Sequence, residues 1–178
     1  MSEEAAAARA PRGFDRLARA YAALGIDPPV VSHAPAHTVE EAAALRGAIA
    51  GLHTKNLFLK DKGGAHYLVT APEGAAIDLR RLHAAIGARG RVSFASAEAM
   101  AELLGVTPGS VTPLALLNDD ERRVLCIFDP ALAEAEAINV HPLVNTATTT
   151  LPRAALFAIL TDSGHPPSIV ALPEPPPR

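Results

Sequence analysis

The chain has 178 residues, a length that fits one domain with its own core, since a fold of this size buries about 70% of its unfolded surface. Hydrophobic residues make up 49%, but with five Phe, two Tyr and no Trp the core is expected to be aliphatic. A formal net charge of −3 excludes a broadly basic nucleic-acid coat, and a single cysteine, Cys126, excludes an internal disulfide or a cysteine-based zinc cluster.

Residues 1–12 are rich in Ala, Glu and Arg and are expected to be flexible. No secretory signal is expected, because the acidic start lacks an apolar h-region, and no apolar run reaches the ~18 residues of a membrane span. A cytoplasmic location is the resulting expectation. Phe14, Leu17, Ala18, Tyr21 and Leu24 recur at helical spacing, and Gly25 sits where a helix C′ residue belongs. Pro28 and Pro29 end that helix, and Val30-Val31 begins a short extended piece. Thr38 with Glu41 forms a capping box for a second helix.

Segments 54–61 and 65–71 flank the turn Lys62-Gly63-Gly64 and predict a β-hairpin. Asp78 is placed to cap a helix through Gly87, 91–95 reads as a strand, and Ser96 caps a helix ending at Gly105. The loop 107–113 leads to an expected strand over 114–118, a solvated turn at Asp119, Asp120 and Glu121, and a strand over 122–129. A short helix after Asp129-Pro130, a strand over 137–141, a Thr-rich stretch and a helix over 152–164 complete the body. One domain is expected over 13–172, with a Pro-rich disordered tail over 173–178. Hairpin strands interspersed with helices predict an α/β fold with a mixed sheet rather than a doubly wound parallel one. The chain has neither GxGxxG after a strand nor GxxxxGK[ST], which argues against dinucleotide and P-loop chemistry.

Three places carry candidate chemistry. All three lysines, Lys55, Lys60 and Lys62, fall within eight positions, whereas the other thirteen basic residues are arginines. Lysine is a compact, flexible ammonium, so its choice here suggests a specific contact. Lys60 and Lys62 read as solvated charges protecting a strand edge. Lys55 shares a strand face with Leu57 and Leu59 and is expected to be partly buried beside a cleft. The second place is the loop Gly109-Ser110-Val111-Thr112-Pro113, where glycine permits close approach and proline fixes the exit, so main-chain groups can hold a water or a carbonyl oxygen. The third is His141-Pro142-Leu143-Val144-Asn145, where a histidine at a strand end can serve as an acid, a base or a hydrogen-bonding wall. No HExxH or paired His/Cys motif supports a metal, and Pro35 opposes the helix that would let His33 and His37 share one. Cys126 lies in an apolar strand and reads as a core thiol. No GxSxG surrounds Ser110.

Taken together, HTKNLFLKDKGGAHYLV (53–69), GSVTPLAL (109–116) and NVHPLVNTATTTL (139–151) resemble, in order and spacing, the YbaK/ProX family of aminoacyl-tRNA editing proteins. Within it the chain is most similar to the freestanding prolyl-tRNA editing proteins of the PrdX or ProXp-ala type, over roughly residues 14–172. It departs from the usual family pattern at Gly63-Gly64, at Thr112 in place of serine, and at Leu114-Ala115. Thr112 keeps the hydroxyl and adds a methyl, and Leu114 and Ala115 bear on amino-acid specificity.

The resemblance implies a mixed, largely antiparallel sheet or partial barrel surrounded by helices. It also implies a trans-editing hydrolase that removes alanine from mischarged tRNA(Pro) by metal-free water attack, with no cofactor. Residue by residue, it implies that Lys55 contacts the phosphate near the terminal adenosine and that Asn56 positions that end. Gly109, Ser110, Val111, Thr112 and Pro113 would place the scissile carbonyl and the water, and His141 would line the aminoacyl pocket with Asn145 and Thr149. Lys60, Lys62, Arg80 and Arg81 are expected to extend the tRNA-binding patch. Expected partners are the charged tRNA, prolyl-tRNA synthetase and an elongation factor, with neither membrane nor DNA. Alternatives are deacylation of Cys-tRNA(Pro) or of another small mischarged amino acid, or a non-catalytic module that binds a tRNA end or the synthetase.

Overall fold

The computed structural model describes residues 10–35 and 38–178. Most of the expected N-terminal segment, and His37 of the His33/His37 pair, lie outside the described residues. The hairpin forms as its sequence predicts: β1 (Val30–Ser32) and α1 (Phe14–Leu24) precede it, and β2 (Leu52–Lys60) pairs antiparallel with β3 (His66–Pro72). Asp61 closes its turn. One carboxylate oxygen accepts from the Gly63 and Ala65 amides at 2.9 and 3.0 Å, and the other from Tyr67 Oη at 2.9 Å and the Arg89 amide at 2.8 Å. These donors, the Arg89 amide foremost, hold its pKa down at about 2.

Alternation along the hairpin fills two cores. Phe58 and Leu68 face a large cluster that includes Leu104, Leu116, Phe128 and Leu156, while Leu59, Tyr67 and Val69 face a smaller one with Leu82 and Ile127. A sheet covered on both faces explains why its strands read as continuous apolar runs.

The remaining strands are β4 (Ser93–Phe94), β5 (Val124–Phe128), β6 (Ala137–Val140), β7 (Ala147–Pro152) and β8 (Ser168–Ile169). The order across the sheet is β1-β7-β6-β2-β3-β5-β8, with β4 paired to β2 off this path. Pairings β2–β6, β3–β5 and β5–β8 are parallel and the others antiparallel, so the sheet is mixed, as expected.

Helix ends follow their local signals. Gly25 is left-handed at φ 65° after α1, and Thr38 and Glu41 exchange the two capping-box bonds at 3.1 and 3.2 Å ahead of α2 (Val39–Ala48). Asp78 accepts from the Arg80 amide at the start of α3 (Leu79–Ile86). Ser96 caps α4 (Ala97–Ala99), which runs into a π-helical turn over Met100–Leu104 and ends at Gly105. Asp129 caps α5 (Pro130–Glu134), and α6 (Arg153–Asp162) follows β7.

The expected strand over 114–118 is instead a 3₁₀ helix, Pro113–Asn118. Thr112 Oγ1 accepts from the Leu114 amide at 3.3 Å, Pro113 pre-sets the first turn, and Leu114, Ala115 and Leu116 are each fully buried. A segment buried all round has no two-faced alternation to hold it as a strand. The strand expected over 91–95 shortens to Ser93–Phe94. The turn expected to be solvated is so only in part. Asp120 is exposed beside Arg16, but Asp119 is 4% exposed and accepts from the Val124 amide at 2.8 Å and from His165 Nε2 at 2.9 Å. Cys126 is buried, and burial pushes its thiol up to about 12, in keeping with a core role. At the ends, Arg12 donates to the carbonyls of Ala101, Glu102 and Asn118, and the Pro173 carbonyl accepts from the Asp78 amide at 2.7 Å.

Candidate active site

β2 changes partners along its length. Leu52 and His53 pair in parallel with Ile138 and Asn139, whereas from Thr54 onward β2 pairs with β3. β6 continues beside β7, with Val140 opposite Thr149. The two parallel strands therefore part at their carboxyl ends, where α/β sheets commonly hold ligands.

A cavity of about 200 Å³ occupies the fork. β2 supplies His53, Thr54, Lys55 and Asn56; β6 and its exit supply Asn139, Val140 and His141; β7 supplies Thr148; the loop supplies Gly109 and Val111. Among the described residues no carboxylate lines it, and Lys55 is the one lysine or arginine that does. The half-buried Lys55 donates from Nζ to the Ala75 carbonyl, which leaves two of its three N–H groups for a ligand. Asn56 is committed on both sides, accepting from Thr70 Oγ1 at 2.8 Å and donating to the Val111 carbonyl at 3.2 Å, so it ties the loop to the sheet. Gly109 is left-handed at φ 90°, which a side chain would strain.

His141 Nδ1 lies 3.0 Å from the Ala147 carbonyl. A carbonyl can only accept, so Nδ1 carries the proton and Nε2 of the neutral ring is an acceptor. Burial lowers its pKa below the ordinary imidazole value, the Ala147 bond opposes that shift, and nearby His33 adds to it.

The structure thus brings Lys55, Asn56, Gly109, Val111 and His141 around one cavity. Ser110, Thr112 and Pro113 are buried in the body of the loop rather than on the cavity wall. Asn145 Nδ2 sits against Gly109 behind that wall, 3.4 Å from where a Cβ at this glycine would stand. Thr149 Oγ1 donates to the Pro29 carbonyl at 3.0 Å, and its neighbour Thr148 is the threonine that lines the cavity. Lys60, Lys62, Arg80 and Arg81 are exposed and outside it, with Lys60 about 16 Å farther along β2 from Lys55 at strand rise.

Sequence reasoning missed His53, Thr54, Asn139, Val140 and Thr148. Strand alternation from Lys55 gives His53 the same face, which was a usable signal. Asn139 enters only through the parallel register, which no local pattern encodes. Among the described residues, no group of three or more His, Cys, Asp or Glu could hold a metal ion, and no helix is long and apolar enough to cross a membrane.

The fork thus gathers one ammonium, a glycine-to-proline loop and a neutral imidazole around a single cavity. The aminoacyl-tRNA editing domain model matches residues 33–159, and the chain belongs to that family, whose enzymes are aminoacyl-tRNA deacylases. It is 36% identical over 143 residues to the prolyl-tRNA editing protein ProX of Acetoanaerobium sticklandii, covering 80% of this chain and 87% of the relative. It is 39% identical over 158 residues to prolyl-tRNA synthetase associated domain-containing protein 1 of Bos taurus, covering 86% and 92%. A crystal structure described as that of a candidate trans-editing enzyme for prolyl tRNA synthetase superposes with a TM-score of 0.65 at 21% identity, covering 93% of this chain and all of that one. The last likeness supports the fold.

Proposed function

We propose that the protein hydrolyses the ester joining alanine to the 3′ end of tRNA(Pro), by direct attack of water and without a metal or a covalent enzyme intermediate. The observation that carries this reading is the convergence of Lys55, Gly109, Val111 and His141 on one cavity of about 200 Å³. That volume lies below the ~300–1,000 Å³ of drug-sized sites, so it suits a small aminoacyl group while the terminal nucleotide stays at the mouth.

Lys55 binds the adjacent phosphate through its two remaining N–H groups and sets the register of the ester. Loop main-chain groups position the carbonyl. His141 Nε2 accepts a hydrogen bond from the attacking water. Water oxygen bonds to the carbonyl carbon, the carbon–oxygen bond to ribose breaks, and the ribose oxygen takes up the proton. The products are alanine and tRNA with a free terminal hydroxyl. An aminoacyl ester is already activated, so orientation and electrostatics provide enough catalysis. The reaction answers a need that binding alone cannot meet, because a synthetase pocket that fits proline discriminates against a smaller side chain by only about 1–3 kcal/mol per methylene.

Deacylation of tRNA(Pro) charged separately with Ala, Cys, Ser and Pro tests the reading. Alanine is expected to be released fastest and proline spared, with rates unchanged in EDTA. Faster release of cysteine would move the specificity, release of none would leave a binding module, and a zinc-restorable loss in EDTA would establish a metal.

The water contact also fixes a pH dependence. Protonated His141 cannot accept from water, so kcat should rise with pH through the ionisation of His141 and be flat at neutrality. The inflection should lie below the ordinary imidazole value, since burial favours the neutral ring. In His141→Ala that inflection should vanish; a profile that keeps it would assign it to another group.

A further inference from the structure

Two buried polar atoms at the base of the fork have no hydrogen-bond partner: Asn139 Nδ2 and His53 Nε2. They belong to register partners on β6 and β2, and both residues line the cavity. Native interiors rarely leave such atoms unsatisfied, and two on register partners that line one cavity are groups that a ligand entering it can complete.

Asn139 is held more firmly. It is 2% exposed, and Thr150 Oγ1 donates to its Oδ1 at 2.7 Å, which turns Nδ2 away as a free donor. Gly51 makes room for the amide. Its φ is 103°, and a Cβ there would stand 2.6 Å from Asn139 Oδ1. A left-handed glycine, a threonine and a strand register together keep one N–H pair unspent.

We infer that Asn139 Nδ2 donates to the carbonyl oxygen of the aminoacyl ester and stabilises the negative charge that develops there. The inference rests on the hydrolytic reading above. The substrate's oxygens differ in what they require. The phosphate has the Lys55 ammonium, and a ribose hydroxyl donates as well as accepts. The carbonyl oxygen only accepts, and it gains charge at the transition state, so a neutral, water-shielded donor serves it best. Among the described residues no carboxylate lines the cavity to oppose that charge.

Asn139→Leu and Asn139→Asp test this against the wild type on the charged tRNA that the wild type turns over. Loss of an oxyanion donor lowers kcat by about 10²–10³-fold. KM should stay within about threefold, since the contact strengthens only at the transition state. Asn139→Leu removes the unpaired Nδ2 together with an Oδ1 that accepts from Thr150, whose Oγ1 retains the Ala50 carbonyl at 3.4 Å, so the melting temperature should fall by no more than about 5 °C. A purely structural Asn139 gives the reverse, a larger fall in melting temperature with kcat unchanged, and overturns the inference while leaving the hydrolytic reading intact. A raised KM with unchanged kcat overturns it too. If the wild type itself releases no amino acid from any charged tRNA(Pro), both readings fall together, and wild-type turnover measured alongside separates that result from loss at Asn139 alone.

Discussion

Lys55→Ala lowers deacylation by at least about a hundredfold while the protein stays folded. The loss comes from position, since misplacing a reacting group by roughly 1 Å costs that much. On the proposed reading, without the ammonium the phosphate would no longer fix how far the ester enters the fork between β2 and β6. The same change should weaken tRNA binding and reduce the slope of log K against log salt by about 0.7, the contribution of one phosphate contact on a single strand. Stability should fall by no more than about 1 kcal/mol, because Lys55 makes one hydrogen bond, to the Ala75 carbonyl, from a half-buried strand position. Lys55→Arg should restore little. A planar guanidinium on a longer stem cannot keep the Ala75 contact and present its remaining donors in the same place. Turnover in Lys55→Ala within a few-fold of wild type would remove the phosphate anchor from the mechanism.

Asp119→Ala has the opposite signature, with folding lost and chemistry spared. Asp119 joins the end of the 3₁₀ helix to the Val124 amide at the start of β5 and to His165 beyond α6. The His165 ring is 3% exposed and also contacts Ser163 Oγ at 3.1 Å. Removing the carboxylate strands two buried donors at about 1–3 kcal/mol each, so a loss of about 3 kcal/mol is expected. That is a large part of a typical 5–15 kcal/mol total and corresponds to roughly 6–12 °C in melting temperature at this chain length. Urea unfolding should show a lower midpoint at unchanged slope, and kcat measured well below the transition should equal wild type, because Asp119 lies outside the cavity. Asp119→Asn should cost less, since its amide oxygen still accepts from Val124. A midpoint unmoved in Asp119→Ala would show that His165 and Val124 find other partners.

The sequence by itself determined what short-range physics controls. The capping pairs at Thr38–Glu41, Asp78 and Ser96, the left-handed Gly25 and the hairpin around Asp61 each rest on bonds spanning a few residues, and all were legible. Lys55, Gly109 and His141 were legible as candidates from the lysine cluster, the glycine-to-proline loop and the strand-end histidine, and the resemblance of their segments to a family pattern implied their roles. The 3₁₀ helix at 113–118 was misread because an apolar run of that length carries no period to separate strand from helix, and burial on all sides decided it. Asp119 looked like a turn residue because its partner His165 stands 46 positions away. The fork itself was hidden for the same reason. It exists because β2 and β6, linked by the Thr54-to-Asn139 bond across 85 positions, run parallel for two residue pairs and then take different neighbours. Only tertiary structure sets such a register, since the free energy that chooses it comes from burying both faces of the whole sheet, and that choice placed Asn139 and Thr148 beside Lys55.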